Sequence, residues 1–556
     1  MNKDYQRLRE SIPEPRQRVE GKFHAEPKRV RDWVTTLPRA NAGATQGELE
    51  RALASLARQA LSGNARLLAL EELRPVVVES IDLLQQSYAG SALPLTATKA
   101  QSAQLAEDFH LLLAHGYRKA AVEICAPSGS VPMLRGGSVA QCLQRSAWHF
   151  GRALAVAWRI YRAPSIGLWQ GLHRVYRFAV SSRLHTKAAE DRYAGTTDTH
   201  SLYLQTLLMA VTNPLAFSQT EQDSLWQIVR SFSGACDLLT KPPEANAPVV
   251  PEDADRGPGP GAADESHSQW LDVRPFAEAV EDALGRVRDG HADLVPARGL
   301  GIRFPAEALL RLKRSFGLAA ARSHKRLDAS HELRTVIGMS CVHFYLSGER
   351  DFDTFMRQSS QHAVHVIDRA SWASGGTDAA RVPVHPARVL DQSLGGYRVV
   401  WDNANQIRAR VGELVGITLA EADEQPDWMI GVVRWLRYEP DGGLSAGIEL
   451  VSRQASAIGL RVFERGGTPR VATRALEIES IDMEGERCFL APGVSDTEAT
   501  RIEVIRDEFE YRDATLPAVE ELVAGLDVLV NAGEYAVLRP LRTDLVTGGV
   551  DEEAAA

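Results

Sequence analysis

The sequence predicts a multidomain α + β protein, all-α over residues 1–240 and β-rich from about Thr335 to residue 548. Three observations carry this reading. Leu49, Leu53, Leu56 and Ala60 recur at i, i+4, i+7 and i+11, which lines one face of an amphipathic helix. Lys241 to Ser268 (KPPEANAPVVPEDADRGPGPGAADESHS) is rich in Pro, Gly, Ala and acid and breaks that pattern. Beyond Thr335 the apolar runs shorten and alternate with the period of strands, as in Val432, Arg434 and Leu436 against Val433, Trp435 and Arg437.

In chain order, residues 1 to about 30 are charged and contain Pro, and read as an extended arm that Trp33–Pro38 docks onto the body. Leu67 to Leu84 continues the helical stripe, with Pro75 expected to force a kink or a new start. Leu105, Phe109, Leu112 and Leu113 form another stripe, with Gly116 as its stop. Further helices are expected at 139–162, 166–182, 199–212 and 220–239. Trp148, Trp158, Trp169, Tyr176 and Phe178 fit helix-face spacing and read as core. Arg145, Arg152, Arg159 and Arg162 share one face, either solvated or, in the sharper reading, a docking surface for an acidic partner. His110 and His115, near Asp108, read as solvated or capping. Residues 241–267 read as a linker and 268–320 as a helical connector, with Leu309, Leu310, Leu312, Phe316 and Leu318 as its apolar side. The end, 549–556, reads as a disordered tail.

Composition narrows the function classes. Of 556 residues, 44% are hydrophobic and 24% charged, enough apolar material for two to four cores. A net charge of -9 lacks the basic excess of a bulk nucleic-acid binder, so neither DNA nor RNA is expected as a partner. Five cysteines without a CxxC point to reduced thiols and a cytoplasmic location. No stretch has the length and apolarity of a membrane helix, and the N-terminus lacks the apolar core of a secretory signal. Phosphate-loop, zinc-protease, nucleophile-elbow and dinucleotide motifs are missing, as are the GGDEF and EAL signatures, so no enzyme activity, metal or cofactor is expected. His343, His362, His365 and His385 lack a completing Cys or carboxylate and read as surface histidines.

The most specific stretch is Asp391-Gln392-Ser393-Leu394-Gly395-Gly396, of the form DxSxxG, which runs into the β-prone Arg398–Trp401. Asp, Ser and paired Gly describe a tight turn entering a strand. A carboxylate and a hydroxyl two residues apart share one face of an extended chain, and together they suit a donor-and-acceptor edge such as guanine. Alone, this is only a turn, and a capped hairpin corner is the better reading. Upstream lies RxxxR, Arg322 and Arg326, ahead of an expected strand from Thr335 to Leu346. The same pattern occurs at Arg461/Arg465 and Arg470/Arg474, but only Arg322/Arg326 stands one strand before DxSxxG. Downstream come Glu413–Leu419, Trp428–Arg437 and Gly447–Leu450, each strand-like. In this order the motifs resemble the PilZ domain, the bacterial receptor module for cyclic di-GMP. Gly348 to Pro386 reads as an insertion, long for that family.

The resemblance implies an antiparallel β-barrel over 321–468, and leaves 469–548 as a small β-rich region that either forms a second barrel or extends the first. It implies cyclic di-GMP as the ligand. Arg322 and Arg326 would clamp phosphates and guanines through forked donors, Asp391 and Ser393 would hold guanine, and Gly396 would admit it. Arg434 and Trp435 would add lesser contacts. The implied function is an effector that passes nucleotide binding to an unidentified protein partner through the helical domain. The alternative is a PilZ-like adaptor that binds protein partners without nucleotide. The intact Arg pair and Asp/Ser favour the first, and the long insertion the second.

Overall fold

The computed structural model describes residues 3–10, 12–13, 23–243, 247–259, 269–288, 291–296, 301–316, 326–359, 382–402, 407–420, 427–439, 442–463, 470–492, 501–507, 509–511, 514–516, 520–523, 525–531 and 535–541. Arg322, Leu318, His362, His365 and the 549–556 tail lie outside them.

Local chemistry sets the helix starts. Asn41, Ser62 and Asp198 accept from Ala44, Ala65 and Ser201 N–H at the heads of Ala42–Arg58, Gly63–Tyr88 and Thr199–Val211, and Ser218 with Glu221 closes a capping box on Gln219–Phe232. Helices Ala97–Ile124, Gly136–Arg159 and Leu168–Ser181 complete the bundle. Two expected breaks are not breaks. Pro75 lies inside the unbroken Gly63–Tyr88 helix, where buried Leu70, Leu73, Val77 and Ile81 hold the chain helical. Gly116 lies inside Ala97–Ile124 and is a contact point, since a Cβ there would stand 3.1 Å from Leu70 Cδ2. The expected extended arm also differs. Its Lys3–Arg9 is helical, with Tyr5 and Leu8 buried and the Leu8 carbonyl accepting from Arg118 Nε at 2.7 Å.

The segment expected to be a linker is partly built into this body. Val249–Val250, both buried, pair with Gln269–Asp272, which pairs with Asp237–Leu239. Asp255 accepts from Gly167 and Gln170 N–H at 2.5 and 3.2 Å, at the head of Leu168–Ser181, and Asp253 binds Arg174 at 2.7 Å. The acids that suggested solvation instead serve a helix N-terminus. The expected helical connector is mixed: helix Arg274–Leu284, the hairpin His291–Leu294/Ile302–Pro305, then helix Ala306–Phe316. Its Phe276, Val280, Leu309 and Leu312 share one core with the N-terminal helices, so the helical body runs on to residue 316.

Six antiparallel strands form the barrel: Glu332–Ile337, His385–Ser393, Gly396–Trp401, Leu414–Leu419, Met429–Tyr438 and Leu444–Ser452. The ladder runs from His385–Ser393 through Glu332–Ile337, Leu414–Leu419, Met429–Tyr438 and Leu444–Ser452 to Gly396–Trp401, which pairs back onto His385–Ser393. Trp401, Val433, Leu436 and Ile448 fill it, with Leu93 and Tyr161 of the helical body. The strand expected from Thr335 to Leu346 ends at Ile337. Gly338, at φ 91°, turns the chain, and Met339–Leu346 is a helix that buries Val342 and Phe344. The even alternation expected across 432–437 also fails. A register shift between Val433 and Trp435 places an extra residue there, so Val433 and Leu436 both face the barrel interior while Val432 faces the next sheet.

Only Arg453 and Gln454 separate the barrel from Ala455–Phe463, which belongs to a seven-stranded antiparallel sheet rather than to the barrel as the 468 boundary implied. That sheet packs Leu476, Ile478, Cys488 and Leu490 against Val336, Ile430 and Val432. Within the expected insertion, helix Phe352–Ser359 seats Phe355 and Met356 on Ala457 and Ile505, and residues 360–381 lie outside those described. Barrel and helical body are stitched by backbone. Leu93 and Ala409 exchange both hydrogen bonds at 2.9 Å, and Tyr438 N–H donates to the Tyr161 carbonyl at 2.9 Å.

Candidate functional site

The DxSxxG stretch is a two-residue hairpin. Ser393 faces Gly396, and Leu394-Gly395 forms the tip. Leu394 is 68% exposed. Gly396 is required by a close approach, because a Cβ there would stand 2.0 Å from the Ile448 carbonyl oxygen on the neighbouring strand. Ser393 Oγ lies 3.4 Å from the Gly396 carbonyl oxygen, a long bond that leaves the hydroxyl largely uncommitted.

Strand pairing brings Arg326, the described half of the RxxxR motif, to the DxSxxG stretch despite the gap between them. The short Leu327–Asp328 strand pairs with Gln392 and Asp391. This places Arg326 Nη1 2.8 Å from Asp391 Oδ1, with the Arg326 side chain 43% exposed and that of Asp391 15%. Arg398 stands directly opposite Asp391, its Nη1 3.9 Å from Oδ2, and its Nη2 3.9 Å from Glu439. Arg398 was not among the expected site residues. A two-residue hairpin over Leu394-Gly395 would have placed it opposite Asp391.

The register extends this row. Trp435 pairs with Gly447, Gly447 with Arg398, Arg398 with Asp391, and Asp391 with Asp328. Directly paired residues share a sheet face, so the half-buried Trp435 belongs to the face of Asp391 and Arg398. A Cβ at Gly447 would stand 1.9 Å from Trp435 Nε1, so the glycine is what lets the indole lie flat there.

Arg434 takes another course. It ion-pairs with Glu449 on the next strand and with Glu307 on Ala306–Phe316. Burial works against its charge, but the Glu307 and Glu449 carboxylates outweigh burial and hold the guanidinium well above its ordinary pKa. Tyr535, buried beside them, is pushed up to about 12, by burial first. Arg434 therefore joins barrel and helical body, and is not a free ligand contact in this state.

Other expectations change. Arg145 is buried with Glu71 and Asp191, at 3.2 and 2.7 Å, while Arg159 pairs with Asp223 and Arg162 with Glu107. The arginine stripe is thus largely spent on internal pairs and is not a free docking face. His110 is buried, not solvated, with Nδ1 3.0 Å from His149 Nδ1. His343 and His385 are buried rather than at the surface, and burial lowers His343 to about 4. Among the described residues no group of three or more His, Cys, Asp or Glu stands where it could hold a metal, and no helix is long and apolar enough to cross a membrane.

Comparison with known proteins gives two family matches. The N-terminal domain of the cyclic-di-GMP receptor FimW matches residues 28–244, and its middle PilZ domain matches 260–380 and 368–457. The second match ends at residue 457, just inside the first strand of the seven-stranded sheet, so most of that sheet lies beyond it. The chain is 25% identical to the cyclic-di-GMP receptor FimW of Pseudomonas aeruginosa, over 89% of this chain and 88% of that protein.

Proposed function

We propose that this chain, which belongs to the PilZ-domain proteins and carries a FimW-type helical domain ahead of the barrel, is a cytoplasmic cyclic di-GMP receptor that relays binding to a protein partner and performs no covalent chemistry. The observation that carries the reading is the Arg326–Asp391 contact at 2.8 Å, which joins the two motifs on one exposed barrel face.

The physical case is one of exchange. A partly exposed Arg–carboxylate pair contributes only about 0–1 kcal/mol. Phosphate oxygens or guanine O6 and N7 offer the same fork a charge-assisted or bidentate alternative. Arg326 is then free to leave Asp391 for the ligand, together with Arg322, while Asp391 and Ser393 turn to guanine N–H groups. Gly396 keeps the hairpin tight against the Ile448 strand, and Trp435 offers a ring on the same face. The route to a partner starts at helix Ala306–Phe316, which comes just ahead of the arginines in the chain and is tied to the barrel by Glu307–Arg434. A ligand that draws the segment before Arg326 onto the barrel biases how the helical body sits on it.

A calorimetric titration of the full chain with cyclic di-GMP tests this. Saturable binding below about a millimolar is expected, and its absence up to that concentration would favour the nucleotide-free adaptor.

A further inference from the structure

The helical body encloses a cavity of about 460 Å³, lined from five helices and from the loop carrying Arg192 and Tyr193. That size falls in the range of small-molecule sites. It is far from empty of chemistry, and nothing in the barrel reading uses it.

A hydrogen-bond chain fixes the tautomer of a buried polar group in its wall. Arg74 Nε donates to His149 Nε2 at 3.0 Å, so His149 carries its proton on Nδ1. That Nδ1 lies 3.0 Å from His110 Nδ1, which must then accept, leaving the His110 proton on Nε2. Burial, then nearby arginines, hold both rings neutral. His110 is 2% exposed and lines the cavity, and its Nε2 has no partner among the described residues. A buried N–H donor without an acceptor calls for an explanation.

The charge and the walls point the same way. Arg152, Arg192 and Arg230 line the cavity with Asp82 as the single carboxylate, a formal excess of positive charge. Arg192 and Arg230 are exposed at the rim. Arg152, from the sequence stripe, lies over the Trp226 ring at 5.7 Å, with Asp223 and Asp82 as the carboxylates acting on its charge. Trp148 and Tyr193 stack with centroids 5.8 Å apart and form an aromatic wall with Trp226.

We propose that this cavity is a ligand site for a phosphate monoester of a planar heterocycle, of nucleoside-monophosphate size. The ring lies inward against the aromatic wall, with an acceptor atom taking the His110 Nε2–H. The phosphate, carrying close to two negative charges at neutral pH, lies outward between Arg192 and Arg230. The inference stands apart from the barrel reading, since it shares no residue with it.

The test is calorimetry on the full chain with adenosine, guanosine, cytidine and uridine 5′-monophosphates, and with the matching nucleosides and inorganic phosphate as the two halves. At least one monophosphate is expected to bind below about a millimolar, with its nucleoside and free phosphate each at least about tenfold weaker. Arg192→Ala and Arg230→Ala, both at exposed positions, should each weaken it about tenfold or more; Arg230 also donates to the Ala194 carbonyl at 2.8 Å, so circular dichroism of each variant checks that the fold is kept. Arg326→Ala should leave it unchanged. The proposal is overturned if no monophosphate binds, if binding survives both rim substitutions, or if Arg326→Ala removes it.

Discussion

Arg434 and Glu307 lie 127 residues apart in the chain, and their ion pair joins a barrel strand to the last helix of the helical body. Arg434 also holds Glu449, so one guanidinium neutralises two carboxylates beside buried Tyr535. Arg434→Ala would leave Glu307 to Arg311 at 3.5 Å and Glu449 to Arg314 at 3.8 Å, both longer pairs in a poorly solvated place, at a cost of about 1–3 kcal/mol. Glu307→Gln keeps the Arg434–Glu449 pair and should cost about 1 kcal/mol. Urea unfolding midpoints of the two variants check the order. Equal losses would mean that the pair with Glu307 alone carries the contact.

For the barrel face, Arg326→Ala should weaken cyclic di-GMP binding by about 1.5–3 kcal/mol, roughly ten- to a hundredfold, and Arg322→Ala by a similar amount. Asp391→Ala should also weaken it, and affinity should fall with salt. The unfolding midpoint of Arg326→Ala should barely move, because its side chain is 43% exposed. Arg461 is a poor control despite its distance from the site. It pairs with Glu503 at 2.7 Å, both side chains largely buried, so its substitution disturbs a buried ion pair. Arg39, paired with Glu79 on the exposed helical surface, is the better one. Unchanged affinity in the double Arg322→Ala/Arg326→Ala variant would remove the clamp.

Gly396→Ala asks a different question of the same hairpin. A Cβ 2.0 Å from the Ile448 carbonyl oxygen has only backbone to push against. The strand pair must separate, at about 1–3 kcal/mol. Reduced stability together with weakened cyclic di-GMP binding is expected. Wild-type stability would mean that the two strands part freely.

How much of this could be read from the chain depends on the range of the interaction. The barrel was legible because its motifs follow one another in strand order, and Arg326 meets Asp391 because that order is a pairing order. The Gly338 turn was not, since Met339–Leu346 is as apolar as the strand it follows and only a left-handed glycine separates them. The extra residue at Arg434 is a property of two strands at once, and cannot be seen in one. The acids of 247–259 read as solvating because their partners, Gly167, Gln170 and Arg174, lie about eighty residues upstream. For the same reason the arginine stripe looked free: Glu71, Asp191, Asp223 and Glu107 come from other helices.

The 247–259 segment gives a proteolytic prediction. Asp255 serves two N–H groups at the head of Leu168–Ser181. Asp255→Ala should cost about 1 kcal/mol, as for the loss of a helix cap. It should also speed tryptic cleavage after Arg256, a site held against the body while Val249 and Val250 stay buried. Mass spectrometry of timed digests reads both proteins. Rapid wild-type cleavage at Arg256 would return the segment to a free linker.

Acid should loosen the protein before neutral pH does. Burial lowers His173 and His343 to about 4 and His115 to about 3, from an ordinary 6.5, and pushes His110 and His149 well down. Above pH 6.5 these rings are neutral whether the chain is folded or not, and they add no pH dependence. As pH falls below 6.5 the unfolded chain takes up protons that the folded one refuses, so stability drops until the folded values near 4 are reached. Each fully shifted ring removes about 1.4 kcal/mol per pH unit across that window. Four of the five sit in the helical body, so its unfolding should lead. Thermal unfolding followed by tryptophan fluorescence should show a midpoint that falls steeply between pH 6.5 and pH 5. His173→Gln should flatten that slope, because glutamine keeps a polar side chain at the Tyr203 hydroxyl, which lies 2.6 Å from His173 Nδ1, but takes up no proton. A midpoint that holds steady from pH 7 to pH 5 would show that these imidazoles titrate in the folded chain as they do in water.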